Sequence, residues 1–148
     1  MISKILVPSD GSKTSQKAAE YAIDLAKQLK ALIIAVSVID KRFIIVTQTM
    51  PETAMRTIEP IEDYLREAAE GYAGAIKKLC DKSGVASKIF INTGHPVEEI
   101  VKQAKRSKAK LIVMGSSGMS ALSATILGSV SYGVIHKISS IPILIVRD

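Results

Sequence analysis

Apolar positions along this chain fall into two patterns, and the two alternate. Leu32 to Val38, Leu111 to Met114 and Ile143 to Val146 are short, nearly continuous apolar runs rich in Ile and Val, as expected of strands covered on both faces. Ile2 to Val7 opens the chain in the same way, and Lys88 to Asn92 gives a fifth, more polar run. Between them apolar residues recur every three or four positions. Ala18, Tyr21, Ala22, Leu25, Ala26 and Leu29 form one such stripe; Ile61, Leu65, Ala68, Tyr72, Ile76 and Leu79 form a longer one. Val97, Ile100, Val101 and Ala104, then Val130, Val134, Ile135 and Ile138, make two more. Each predicts a helix with one buried face. Gly71 and Gly74 interrupt the long stripe, each at a cost of about 1 kcal/mol relative to alanine unless something packs closely there. Asp40 to Glu59 is less regular, with Phe43-Ile44-Ile45-Val46 followed by Pro51. It is long for a loop and is expected to hold a short ordered piece or a mobile flap.

Five strands alternating with four helices predict a doubly wound α/β domain with right-handed crossovers, a single unit over residues 1–148 with no internal repeat or linker. Periodicity does not give the strand order. In such sheets ligands bind beyond the carboxyl ends of the strands, where the order reverses.

Composition narrows the picture. No apolar run approaches the roughly 18 residues of a membrane span, and Met1 to Val7 lacks the pattern of a signal peptide. Cys80 stands alone, which excludes an internal disulfide and a cysteine-rich metal site; at the end of an apolar stripe it reads as a packing residue. The expectation is a soluble cytoplasmic protein. The net charge is +6, with Lys102, Lys105, Arg106, Lys108 and Lys110 close together. They follow a predicted helix to its exit, where positive charge suits the dipole, and no aromatic residues are interleaved for base stacking. Nucleic acid is therefore not the expected partner.

The candidate chemistry lies between the fourth strand and the last helix. Gly115-Ser116-Ser117-Gly118 follows the strand, and Gly128-Ser129 opens the helix after nine further residues. Small residues let an anion approach the backbone, and a helix N-terminus presents free N–H groups with a partial positive charge. Ser129 and Ser131 add hydroxyls in the first turn. A flexible surface turn with capping serines is the competing account.

The same spacing resembles the ATP-binding motif of the universal stress protein family: glycine, two residues, glycine, nine residues, glycine and a Ser or Thr. Ile5-Leu6-Val7-Pro8-Ser9-Asp10-Gly11-Ser12 resembles the family's first strand and Pro-x-Asp turn. Ser37-Val38-Ile39-Asp40, Gly94-His95-Pro96 and Ile141-Pro142-Ile143-Leu144-Ile145-Val146 resemble its later landmarks, and only residues 41–60 lack a counterpart. The resemblance implies a five-stranded parallel Rossmann-like sheet in the order 3-2-1-4-5, with helices on both faces. Asp10 and Gly115 would then open onto one crevice. It further implies an ATP site in which the backbone of Val38 reads the adenine edge and Pro8 gives shape and apolar contact. Gly115 lines the ribose, and Gly118, Gly128, Ser129, Val130 and Ser131 surround the phosphates. Asp10 suits a ribose hydroxyl, or a Mg or Mn ion riding on the phosphates; a turn-forming or capping aspartate is the alternative. Ser12 and Thr14 read as caps of the first helix. The resemblance also points to a homodimer through residues 143–146, an apolar run at the implied sheet edge.

Other chemistries lack their residues. There is no Gly-Lys-Ser/Thr phosphate loop and no Gly-x-Gly-x-x-Gly after the first strand. A receiver-type domain would need an acidic pair with Asp10 and an aspartate where Asn92 stands. His95 reads as a turn residue, His136 as exposed or capping, and Lys41 and Arg42 as a solvated loop after the second strand. The expected protein is an ATP-binding regulator with slow or no hydrolysis and not an efficient enzyme. A slow ATPase or phosphotransferase that recruits a group from residues 40–60 is the alternative, and an interaction module without nucleotide is the third reading.

Overall fold

A computed structural model describes residues 1–40, 42, 58–117 and 127–147. Along the chain these form β1 (Lys4–Pro8), α1 (Lys13–Leu29), β2 (Leu32–Asp40), α2 (Ile58–Ser83), β3 (Ser87–Gly94), α3 (Pro96–Arg106), β4 (Leu111–Gly115), α4 (Ser129–Lys137) and β5 (Ile143–Val146). The five strands make one sheet in the order β3-β2-β1-β4-β5, with every pairing parallel. The expected order is thus the observed one.

Alternation along each strand divides the core in two. Ile5, Val7, Ile33, Ala35 and Val113 face α1 and α2, where Ala18, Ala22, Ile76 and Cys80 complete a buried layer. Leu6, Ile34, Val36, Ile112 and Met114 face α3 and α4 and meet Ile100, Val101, Ala104 and Val134. Both faces of β1, β2 and β4 are covered, which is why those strands read as unbroken apolar runs. Cys80 is fully buried, and burial pushes its thiol above the usual range, as fits a packing residue.

The helix ends follow local chemistry. Ser12 is the N-cap of α1, its Oγ accepting from the Ser15 N–H at 3.2 Å. His95 caps α3 by backbone conformation alone, with Pro96 just inside the helix. Glu98 and Glu99 lie in the first turn of α3 and Lys105 and Arg106 in the last, each sign matching the dipole. Lys102, Lys105, Arg106, Lys108 and Lys110 are all exposed, consistent with a solvated face. His136 is exposed and stacks on Tyr132 with ring centroids 4.0 Å apart.

Two expectations need revision. β3 runs from Ser87 to Gly94 and not merely from Lys88 to Asn92, because its ladder with β2 continues to the pair Asp40–Gly94. Thr14 is not a cap: it is buried, and its hydroxyl donates to the carbonyl of Ser117 across the sheet edge. The segment 43–57 and Gly118 lie outside the described residues.

Among the described residues nothing comes within 4 Å of the place where a Cβ would stand on Gly71 or Gly74. Both glycines therefore weaken α2 without serving a contact among the described residues. Gly71→Ala and Gly74→Ala should each stabilise the protein by about 0.5–1 kcal/mol, read as a higher urea midpoint at constant slope. An unchanged midpoint in the double variant would show that these positions are not in a regular helix interior.

Candidate functional site

The sheet opens at its carboxyl edge between β1 and β4. These strands pair only at Ile5–Leu111 and Leu6–Ile112, whereas β4 stays paired with β5 as far as Gly115–Val146. Beyond Leu6 the two central strands part, and the resulting crevice is at the point where strand order reverses.

One wall is the turn from β1 into α1. Pro8 is buried at the end of β1, and Ser9 N–H still donates to the Val36 carbonyl at 2.9 Å. Asp10 is exposed, and its Oδ1 accepts from the Ser12 N–H at 2.9 Å, so it does form the turn that its sequence context suggested. A hydroxyl lattice backs this turn: Ser37 Oγ donates to the Ser9 carbonyl at 2.9 Å, and Ser9 Oγ lies 3.3 Å from Ser15 Oγ. Val38 follows two residues after Val36. By the alternation of a strand, its N–H and C=O point to the β1 side at a level where β1 has already turned away. They stand at the crevice as one donor and one acceptor on a rigid strand.

The opposite wall is the turn after β4. Ser116 N–H donates to the Val146 carbonyl at 2.9 Å, and the Ser116 carbonyl accepts from Gly128 N–H at 2.6 Å. Gly128 is the N-cap of α4, extended and without a side-chain cap. The N–H groups of Ser129, Val130 and Ser131 have no carbonyl four residues back inside the helix, leaving them available to an anion. Ser129 is exposed and Val130 half-buried. Ser131 is buried, and its hydroxyl donates to the Gly115 carbonyl at 2.7 Å, so it offers a ligand its N–H but not its hydroxyl proton. Gly115 has a packing requirement of its own: a Cβ there would stand 2.8 Å from the Thr14 main-chain carbon.

The structure therefore brings Pro8, Asp10, Val38, Gly115, Gly128, Ser129, Val130 and Ser131 to one edge of the sheet. Thr14, which links the walls through Ser117, escaped the sequence reading because its partner is 103 positions away. Among the described residues no group of three or more His, Cys, Asp or Glu could hold a metal ion. A cation here would depend on Asp10 together with the ligand's own phosphates.

Asp40, at the end of β2, is paired with Arg42. The guanidinium Nη2 lies 2.5 Å from Oδ2, Nε donates to both carboxylate oxygens at 3.0 Å, and the Arg42 N–H donates to Oδ1 at 3.0 Å. Arg42 is thus turned back onto the strand end. These side-chain hydrogen bonds, outweighing partial burial, hold the Asp40 carboxyl below its usual range, with the nearby charges of Arg42 and His95 acting in the same sense. Because the folded-state pKa is depressed, the pair's contribution to stability is present above the unfolded carboxylate's pKa. It is lost as pH falls through the folded value. Arg42→Ala should move the Asp40 titration midpoint upward, which carboxyl-carbon NMR over an acid titration measures directly.

Comparison with known proteins gives the family and agrees with the fold. The model of the universal stress protein family matches residues 1–147. Universal stress protein MJ0531 of Methanocaldococcus jannaschii is 36% identical over 144 residues, covering 97% of this chain and 81% of that protein. Universal stress protein MJ0577 of the same organism is 36% identical over 157 residues, covering 99% of this chain and 96% of that protein. Its solved structure superposes with a TM-score of 0.83 at 33% identity, over 100% of this chain and 97% of that one. A universal stress protein solved in complex with cAMP superposes with a TM-score of 0.64 at 26% identity, over 99% of this chain and 97% of that one. The chain belongs to the universal stress protein family.

Proposed function

We propose that this protein binds ATP in the crevice between β1 and β4 and acts as a nucleotide-dependent regulator with slow or no hydrolysis. The observation that carries this reading is the convergence of two walls. The Asp10 turn and the Gly115–Ser117 turn are held together by the Thr14 hydroxyl, beside the open N-terminus of α4. The cAMP complex of a relative supports a nucleotide as the ligand class.

In this reading the backbone of Val38 pairs with the adenine edge, Gly115 lines the ribose, and Pro8 shapes the turn and offers apolar contact. Gly118, Gly128, Ser129, Val130 and Ser131 surround the phosphates, which a helix N-terminus stabilises. Asp10 has one oxygen committed to Ser12 and offers the other to a ribose hydroxyl or to a Mg or Mn ion on the phosphates. Regulation is favoured over turnover because, of the two aspartates described at this edge, Asp40 is paired with Arg42 and Asp10 has a single oxygen left to offer. Mass spectrometry of nucleotide that co-purifies with unheated protein tests the ligand. ATP turnover with and without Mg or Mn tests the regulatory assignment, and efficient hydrolysis would replace it with the ATPase alternative.

ATP should bind in preference to GTP. Guanine presents O6 where adenine presents a donor amine, and a mismatched buried polar pair costs about 1–3 kcal/mol. Equal affinities by calorimetry would remove the base-reading role from Val38. Gly128→Val should abolish ATP binding with little change in melting temperature, since a β-carbon there occupies space beside the anion. Loss of folding along with binding would mean that the glycine serves only the cap.

The regulator is also proposed to work as a homodimer through β5. That strand is at the edge of the described sheet, and Ile143, Leu144, Ile145 and Val146 are each half-buried in the single chain. Antiparallel pairing of two copies about a two-fold axis would satisfy the edge and cover those residues. Ile145→Lys should shift the protein to monomer, because a charge buried without a partner is costly. A monomer in sedimentation of the unmodified protein at micromolar concentration would overturn the dimer.

A further inference from the structure

The turn that carries Asp10 is held at Ser9 by the Val36 carbonyl and the Ser37 hydroxyl, but among the described residues its tip has fewer bonds. It is exposed at Asp10 and Gly11, and it is fixed locally by the Ser12 N–H bond to Asp10 and a 3.3 Å contact from Gly11 N–H to Ser9 Oγ. Gly11 adopts φ +81°, a conformation open to glycine and to few other residues, and glycine has many alternatives to it. A turn of this kind would not by itself keep a carboxylate in one place.

The missing constraint comes from α2. The ring of Tyr72 is laid against Gly11: a Cβ at position 11 would stand 2.3 Å from Cε1, 2.5 Å from Cζ and 2.7 Å from Cδ1. Tyr72 is half-buried, and its helix is anchored next to it by Ala69, Ala73 and Ile76, all buried in or against the core. A planar ring on a rigid helix thus presses on the one residue whose freedom would let the turn open. We propose that Tyr72 is the positioning residue for Asp10, its ring closing over Gly11 to keep the turn in the geometry that presents the carboxylate. For the ligand that Asp10 meets, this rests on the ATP reading above; for the turn itself it does not.

Two measurements separate these levels. Hydrogen exchange of the Ser12 amide needs no ligand. Tyr72→Ala should speed it about tenfold while the Ala73 and Ile76 amides keep their protection, and Tyr72→Phe, which retains the ring, should leave it unchanged. Calorimetry with Mg·ATP should show Tyr72→Ala binding about tenfold more weakly and Tyr72→Phe binding as the parent does. In an Asp10→Asn background, Tyr72→Ala should add no further loss, because its effect passes through the carboxylate. Tyr72→Leu, which keeps apolar bulk on α2 without the planar ring, replaces the alanine variant if that one does not fold. An unchanged Ser12 amide in Tyr72→Ala, or losses that simply add in the double variant, would overturn the proposal. Absence of ATP binding by the unmodified protein would overturn the nucleotide reading instead, and the exchange experiment would still decide the role of Tyr72.

Discussion

Helix α1 runs so close to the end of β4 that no side chain fits at position 115, where a Cβ would stand 2.8 Å from the Thr14 main-chain carbon and 2.9 Å from its Cβ. The rest of the carboxyl edge depends on this approach. It lets the Thr14 hydroxyl reach the Ser117 carbonyl, so the two central strands, which part after Leu6 and Ile112, are tied together again above the gap. On the far side Ser131 holds the Gly115 carbonyl and Gly128 N–H holds that of Ser116. The walls of the crevice are therefore joined through main chain and hydroxyls.

How much of this could be read in the sequence varies with the reach of each interaction. β1, β2 and β4 were legible because both their faces are buried, so every position reports the same environment. β3 was legible only in part. It is an edge strand whose residues are mostly half-buried or exposed, and its apolar pattern fades at Asn92 and Thr93 while the ladder with β2 runs on. The cap at Ser12 depends on its neighbour Ser15 and follows from local chemistry. Thr14 looks the same locally, yet its partner is in another element, and nothing around it in the chain says so. Tyr72 shows the limit most clearly. As one member of an apolar stripe it was counted towards the core, and only the fold reveals that it rests on a glycine at the site.

The glycine motif, by contrast, was legible as a spacing before it was a shape. Gly115 and Gly128 stand in different settings in the structure, the first where α1 approaches too closely for a side chain and the second at the extended N-cap of α4. A spacing motif can thus record packing as well as a candidate site. Substitutions at the two positions are not equivalent, and loss of function at Gly115 would not by itself identify a ligand contact.

Ser116 has one further consequence, for the order in which the chain becomes competent. Its N–H is satisfied by Val146, almost at the end of the sequence, while the opposite wall of the crevice comes from residues 8–12. A ribosome makes the wall of residues 8–12 long before the one at Ser116, at about 5–20 residues per second. During synthesis β1, β2 and β3 can pair as a half-sheet, with β1 keeping one edge open until β4 is made. The turn after β4 gains its last hydrogen bond only when β5 docks. A nascent fragment ending before residue 146 therefore lacks the main-chain bond that holds the Ser116 turn against β5.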